Sequence, residues 1–120
     1  MNRWVLLEHK VKLVNSIDIH YDFLVEDKLD CLTWKFSKIP VLNEDYVEIY
    51  RQPNHRLVWL TRLQYDLSRN RGVVTRIDYG NFVSISIKEN HQELILKLDG
   101  KLLNGLFEIV GSSCKLTKEN

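Results

Sequence analysis

The segment Ile19-His20-Tyr21-Asp22-Phe23-Leu24-Val25-Glu26 decides the fold, because its side chains alternate in the manner of a strand. Successive side chains of a strand point to opposite faces, so the aromatic and β-branched residues share one face, which is predicted to be buried. His20, Asp22 and Leu24 share the other face, where an imidazole and a carboxylate lie about 6–7 Å apart at Cα. This pair fits either a metal site or a simple His–Asp hydrogen bond on a solvated surface.

The segments around this strand predict antiparallel neighbours. Residues 4–9 begin with an aromatic and a β-branched side chain, continue with two leucines and precede a polar turn, so residues 3–26 are expected to form a hairpin. A second turn at Asp27-Lys28 leads into residues 29–36, whose apolar and polar side chains alternate as in a third antiparallel strand.

The rest of the chain continues the same pattern. Further strands are predicted at residues 46–50, 55–60, 73–78, 82–88, 93–98 and 106–111, with turns at 79–81 and 89–91. No window shows helical periodicity. The predicted fold is all-β: a small single-domain antiparallel β-barrel of about eight strands over residues 1–114, with a flexible C-terminal tail at 115–120.

The expected core consists of apolar side chains that recur along these strands. They are Trp4, Leu6, Tyr21, Phe23, Leu32, Trp34, Ile77, Ile85, Ile87, Leu96, Leu98 and Phe107.

Composition narrows the class of protein. The 120 residues suit one domain, and 28% charged with 44% hydrophobic residues is an ordinary globular balance. A net charge of +1 gives no general basic field, so a nucleic-acid partner would need a local patch. No segment approaches the ~20 apolar residues of a membrane helix. Cys31 and Cys114 match no metal-binding spacing and are expected to be buried, reduced thiols. The reduced cysteines and the lack of an apolar segment long enough for a membrane helix predict a cytoplasmic protein with no membrane partner.

The histidines are candidates for metal binding. If the first hairpin forms, His9 lies near the strand that carries His20 and Asp22, so three ligands could converge. Two imidazoles and a carboxylate with open positions suit Mn²⁺, Fe²⁺ or Zn²⁺. Two alternatives remain: His9 as an ordinary surface residue, or a non-haem iron oxygenase with His55 or His91 as the third ligand.

Beyond these candidates, the order of motifs resembles one family, the 3′-phosphoesterase domain of bacterial DNA ligase D, of which this chain would be a divergent, stand-alone member. The resemblance is carried by His9, His20-Tyr21-Asp22-Phe23, Glu26, Leu32-Thr33-Trp34, Lys38-Ile39-Pro40, His55-Arg56-Leu57, Trp59, Arg71-Gly72-Val73, Asp78-Tyr79-Gly80 and Leu103-Asn104-Gly105-Leu106-Phe107.

The resemblance implies a function in DNA repair: a metal-dependent hydrolase that removes a 3′-phosphate or a 3′-terminal ribonucleoside from DNA. It implies Mn²⁺ as cofactor, or Zn²⁺ or another divalent transition metal in its place, and DNA 3′ ends or a primer–template as partner, with a separate DNA ligase. The implied metal ligands are His9, His20 and Asp22. The implied catalytic residues are His55 against the scissile phosphate, Trp59 in the place of a family tyrosine, and Lys38.

Several positions depart from the family pattern. Leu24 stands where the family has a phosphate-binding arginine, Gln64 stands near the place of an acidic residue, and the interval from His9 to His20 is longer. Arginines in the predicted rim loops could replace the missing one, because a guanidinium binds phosphate oxygens in a bidentate manner. They are Arg51, Arg56, Arg69 and Arg71. The same departures favour an alternative: a catalytically weak or inactive module that binds nucleic-acid ends or a protein.

Overall fold

The alternating segments form an antiparallel sheet, as the sequence predicts. The computed structural model describes residues 2–88 and 92–119, and nearly all the regular structure of these residues is strand. The strands are β1 (Arg3–Lys12), β2 (Ile17–Glu26), β3 (Cys31–Phe36), β4 (Val47–Glu48), β5 (Tyr50–His55), β6 (Gln64–Asp66), β7 (Val73–Ile87), β8 (Glu93–Asp99), β9 (Asn104–Val110) and β10 (Ser113–Thr117).

The sheet has the order β4-β10-β9-β8-β7-β1-β2-β3-β5, with β6 paired to β7 beside this path. The all-β prediction is therefore confirmed, but a closed barrel is only approximated, because β4 and β5 are not hydrogen-bonded neighbours. These two edges are instead joined by one residue of the chain, Ile49. Its side chain is fully buried and its backbone N–H donates to the Ser112 carbonyl at 2.9 Å.

Two apolar layers cover opposite faces of β1 and β2. The inner core runs through most of the sheet and includes Trp4, Phe23 and Phe107. A second cluster, here called the outer layer, contains Val5, Leu7, Leu24, Cys31, Leu60 and Val74. Leu57, Trp59 and Leu67 pack against it from the connection between β5 and β7. Both faces of the first hairpin are therefore buried along half of its length.

Residues 55–60 are not a strand, contrary to the sequence prediction. β5 ends at His55, and Leu57–Leu60 form a 3-10 helix, the one helix of the described residues. The apolar spacing that predicted a strand instead places Leu57 and Leu60 on the outer layer. None of the described residues belongs to a helix long enough to cross a membrane.

The turn predicted at residues 79–81 is also absent, because β7 continues through it and pairs with β1. Gly80 permits this, since a Cβ at this position would collide with the Asp99 carboxylate and approach the Trp4 indole. The turn predicted at residues 89–91 lies outside the described residues.

Two members of the predicted core are exposed. Ile85 and Ile87 retain 55% and 51% of their accessible surface. They lie beyond Asn81, the last β7 residue paired with β1, and a register shift between Ser84 and Ser86 interrupts the alternation. Tyr21 and Ile77 are half-buried against the core, and the other predicted residues are buried.

The C-terminal segment is an ordered strand up to residue 117. Strand β10 pairs with β9, and the Cys114 and Leu116 side chains are buried in the inner core. The expectation of a flexible segment from residue 115 is therefore wrong for 115–117.

Both cysteines are free and buried as predicted, and desolvation raises the pKa of Cys31 to about 11 and of Cys114 to about 12.

Asp78 has a structural role that the sequence does not reveal. Its buried carboxylate accepts hydrogen bonds from the backbone N–H groups of Lys101, Leu102 and Leu103 at 2.8–2.9 Å, and from Tyr79 at 3.0 Å. Backbone donors buried without partners destabilise a fold, so this carboxylate fixes the turn between β8 and β9.

Candidate metal centre

The register of the first hairpin brings three potential metal ligands together. His9 and His20 are directly paired across β1 and β2, and Asp22 follows His20 on the same face. His9 Nδ1 lies 3.2 Å from His20 Nε2, and His20 Nε2 lies 3.7 Å from Asp22 Oδ2. Ligand atoms of all three residues lie within 4.8 Å of one another. These residues are here called the His–Asp cluster.

The cluster fits a divalent transition metal in donor type and in spacing. Nitrogen and oxygen ligands bind such ions at about 2.0–2.2 Å, which places neighbouring ligand atoms roughly 3–3.5 Å apart. The two observed separations are close to this range, so small side-chain adjustments would complete the site. Two imidazoles and one carboxylate suit Mn²⁺, Fe²⁺ or Zn²⁺ and leave coordination positions for water or substrate.

The His9 ring is oriented by a backbone carbonyl. His9 Nε2 lies 2.7 Å from the Arg71 carbonyl oxygen, which can only accept, so Nε2 carries the proton and donates. The lone pair on Nδ1 then points toward His20 and Asp22. Histidine ligands of metals typically have such a hydrogen bond on their second nitrogen. The sequence analysis missed this partner, because a main-chain carbonyl leaves no residue-type signal.

Gly72 lets the chain approach β1 closely enough for this bond. Its φ is +102°, and a Cβ here would collide with the Lys10 carbonyl oxygen. The preceding turn from Ser68 to Arg71 has positive φ at both central residues, 59° at Arg69 and 56° at Asn70, which is the geometry of a tight hairpin turn.

Metal binding requires a proton shift on His20. His9 Nδ1 is an acceptor, so at 3.2 Å the neutral His20 donates from Nε2. That nitrogen also faces Asp22, and it must lose its proton to bind an ion between the three residues. A neutral His20 would then carry its proton on Nδ1.

The surroundings of His20 favour the neutral imidazole. Desolvation is the largest cause of its lowered pKa, and the charge of Lys35 and the neighbouring His9 act in the same direction. Asp22 and Asp18 oppose the shift. Because a metal binds only the neutral ring, this environment reduces competition from protons.

The cluster lies where the outer layer ends. The side chains of His20 and Asp22 are 16% and 12% exposed, and the next residue on this face, Leu24, is completely buried in the outer layer. Position 24 thus cannot present a guanidinium to solvent without disrupting this layer.

Lys35 is a cation that the sequence analysis did not single out. It pairs with Asp22 across β2 and β3, so both side chains point to the same face. The alternation of Thr33 and Lys35 along the third strand was the available signal. Lys35 places a positive charge beside the cluster.

The structure does not bring His55 to the cluster. His55 pairs with Cys31, whereas Asp22 pairs with Lys35, four residues further along β3. Four residues of strand span about 13 Å. The His55 Nδ1 instead bonds to the Pro53 carbonyl at 3.1 Å.

Lys38 follows the end of β3 that lies beside the His–Asp cluster. It is exposed two residues after β3, beyond the pairing of Phe36 with Tyr21. It lines a cavity of about 320 Å³ together with Glu44, Asp45 and Glu48. This cavity contains no residue of the His–Asp cluster.

The arginines predicted to bind phosphate have other surroundings. The Arg51 guanidinium lies 5.0 Å from the Trp34 ring and donates to the Thr33 and Gln52 carbonyls. Desolvation lowers its pKa. Arg56 is exposed immediately before the 3-10 helix.

The other two arginines predicted to bind phosphate, Arg69 and Arg71, belong to the turn before β7. The Arg71 guanidinium donates to the carbonyl and hydroxyl oxygens of Ser68, and only its backbone carbonyl contacts the cluster. Arg69 is exposed on the same turn. His91 lies outside the described residues.

Trp59 packs on the outer layer beside a second aromatic residue. Its ring lies 5.5 Å from that of Tyr65 in an edge-to-face arrangement, and the Arg62 guanidinium covers both rings. Trp59 therefore forms one stacked group with Tyr65 and Arg62, and of these three residues only Trp59 was a sequence candidate.

Comparison with known protein families and with curated proteins finds no match to this sequence.

Proposed function

We propose that this protein is a divalent-metal-dependent phosphoesterase that processes the 3′ ends of DNA, removing a 3′-phosphate or a 3′-terminal ribonucleoside in repair. The observation that carries the proposal is the convergence of His9, His20 and Asp22, with ligand atoms within 4.8 Å of one another. The resemblance described above supplies the substrate class, and Mn²⁺ is the proposed cofactor.

The residues of the chain have distinct roles in this proposal. A bound ion polarises a phosphoryl oxygen and lowers the pKa of a coordinated water. His9, held by the Arg71 carbonyl, and His20, kept neutral by its surroundings, supply nitrogen ligands. Asp22 supplies the anionic ligand, and Lys35 offers positive charge where the transferred phosphoryl group becomes more negative.

The near-neutral net charge of +1 indicates how DNA would be held. A protein that binds a long DNA duplex depends mainly on many contacts between its lysine and arginine side chains and the phosphates. A protein without a general positive field is better suited to recognise a terminus through a few local contacts. We propose that it acts on ends in the cytoplasm, with a separate DNA ligase to seal the processed strand.

Two observations favour a second candidate function, a metal-binding module with weak or no turnover. His55 lies about 13 Å along β3 from the cluster, and Leu24 replaces a cation with a buried apolar side chain. Such a module would bind DNA ends or a protein without cleaving a phosphoester.

One experiment separates the two. The purified protein is incubated with Mn²⁺ and a labelled primer–template ending in a 3′-phosphate or one 3′ ribonucleotide, beside His20→Ala. Loss of a Lewis acid worth several kcal/mol lowers a rate by about 10²–10³-fold, so His20→Ala should be inactive on the wild-type time scale. Mn²⁺ binding without product from the wild type would contradict the phosphoesterase proposal and favour the binding module.

A further inference from the structure

Arg62 is held in a fixed position by two aromatic rings. Its guanidinium carbon lies 4.5 Å from the centre of the Trp59 ring and 4.0 Å from the centre of the Tyr65 ring. Cation–π contacts at these distances are attractive even at an exposed site. The two rings therefore order a side chain that would otherwise sample many rotamers.

The donors of this guanidinium are available. Among the described residues, Arg62 forms no hydrogen bond and no ion pair, in contrast to Arg3, Arg51, Arg71 and Arg76. A planar guanidinium offers five N–H donors that match the oxygens of a phosphate. A rigid arginine with unused donors loses little conformational entropy when it binds an anion.

Strand pairing places Tyr65, whose ring Arg62 covers, on the same face as the metal ligands. Tyr65 pairs with Val74, and Val74 pairs on its other side with His9. Directly paired residues point to one face, and Val74 belongs to the outer layer on which Trp59 packs. With strands about 4.8 Å apart, Tyr65 lies about 10 Å from His9 at Cα.

This separation matches a short length of nucleic-acid strand. Successive nucleotides of one DNA strand advance about 3.4 Å along the helix axis, so the separation of about 10 Å between Tyr65 and His9 spans no more than about three nucleotides. A strand whose terminal phosphate lay at the His–Asp cluster could therefore place an earlier phosphate at Arg62.

We infer that Arg62, stacked on Trp59 and Tyr65, binds a backbone phosphate upstream of the 3′-terminal nucleotide whose end lies at the His–Asp cluster. The inference rests on the proposed function and identifies the local contact that a protein of net charge +1 needs to hold DNA. It assigns to Arg62 the phosphate-binding role for which Arg51, Arg56 and Arg71 were the sequence candidates.

The test measures binding of a fluorescent single-stranded oligonucleotide with a 3′-phosphate to the Mn²⁺-loaded protein at several salt concentrations. Arg62→Gln should weaken binding about tenfold, the scale of one lost charge-assisted contact. It should also reduce the slope of log affinity against log salt by about 0.7. Mn²⁺ affinity should stay at the wild-type value, whereas thermal stability should fall slightly because the two cation–π contacts are lost.

Lys28→Gln is the matched control, because it also removes one positive charge. Lys28 is exposed in the turn after β2, and the four residues of strand from Asp22 to Glu26, about 13 Å, lie between it and the cluster. Its binding should remain within about twofold of wild type, since charges this far apart are screened by salt.

A second pair of variants tests the role of the rings. Tyr65→Leu removes one of the two rings that order Arg62 and should weaken binding by less than Arg62→Gln does. Tyr65→Phe keeps the ring and should bind like wild type. Equal loss in both would contradict an ordering role for the aromatic face.

The result for Arg62 is independent of turnover. Equal binding by wild type and Arg62→Gln, or no binding by wild type, overturns the inference. Selective loss of binding in Arg62→Gln supports it. Product formation is scored separately in the same samples, so binding without cleavage contradicts the proposed phosphoesterase activity while leaving the assignment of Arg62 intact.

Discussion

His9 donates a hydrogen bond from Nε2 to the backbone carbonyl of Arg71 at 2.7 Å, across 62 positions of sequence. This bond joins the first hairpin to the turn that precedes β7 and directs the other ring nitrogen toward His20 and Asp22. The geometry of the candidate metal centre thus depends on a part of the chain that supplies no ligand.

Gly72→Ala should weaken Mn²⁺ binding by about 10–100-fold, the scale of a lost supporting contact. A Cβ at this position would collide with the Lys10 carbonyl and displace the adjacent Arg71 carbonyl from His9. Titration calorimetry measures the affinity.

Gly111→Ala is the control for backbone strain. Gly111 also has a positive φ, 58°, but a Cβ there meets no atom within 4 Å. Both alanine variants should lose stability, by about 1 kcal/mol for Gly111→Ala, but only Gly72→Ala should lose Mn²⁺ affinity. Equal Mn²⁺ affinity in the two variants would refute the role assigned to the Arg71 carbonyl.

Asp78→Ala should lower the free energy of unfolding by about 2–4 kcal/mol, because four backbone N–H groups lose their acceptor. Asp99→Ala should cost less, since within the described residues the Asp99 carboxylate accepts one backbone hydrogen bond, from the Asn81 N–H at 2.9 Å. Denaturant unfolding provides both values. A cost for Asp78→Ala no larger than that for Asp99→Ala would contradict the structural role of Asp78.

Acid should remove the stabilisation that the Arg3–Glu26 pair provides. Arg3 donates to both carboxylate oxygens of Glu26, at 2.9 and 2.8 Å, and this hydrogen bonding lowers the pKa of Glu26 to about 2 from 4.5. A carboxyl whose pKa is lower in the folded state stabilises the fold above its unfolded pKa. This contribution is present above about pH 4.5 and is lost as the pH falls toward 2.

The variant Glu26→Gln should therefore flatten the dependence of unfolding free energy on pH between about 4.5 and 2. The difference at neutral pH should be no more than about 1 kcal/mol, because the Arg3 side chain is 44% exposed and solvent screens the pair. Urea unfolding at a series of pH values measures it. An unchanged acid slope in Glu26→Gln would show that other groups cause the acid sensitivity.

The local parts of the fold were predictable from sequence because they depend on alternation and turn residues. The hairpin of β1 and β2 is an example: once His20 and Asp22 share a face, antiparallel pairing is enough to bring His9 beside them. The third strand, with Trp34 and Phe36 facing the core, follows from the same pattern.

The long-range parts of the site were not predictable in this way. Nothing in residues 57–67 indicates that they cover the outer face of the first hairpin, and this packing makes Leu24 a buried residue and Leu57–Leu60 a 3-10 helix. His55 was assigned to the site through resemblance, but its position depends on the register of β5 against β3. Arg62 was overlooked because its importance arises from stacking on Trp59 and Tyr65.

Titration of Mn²⁺ into the metal-free protein measures whether the first hairpin binds a divalent transition metal. The proposed function predicts one Mn²⁺ per chain at the His–Asp cluster. Binding should be abolished in His9→Ala and His20→Ala and unchanged in His55→Ala, which removes the same side chain about 13 Å away along β3. Unchanged affinity in His9→Ala, or loss of binding in His55→Ala, would contradict the assigned ligand set.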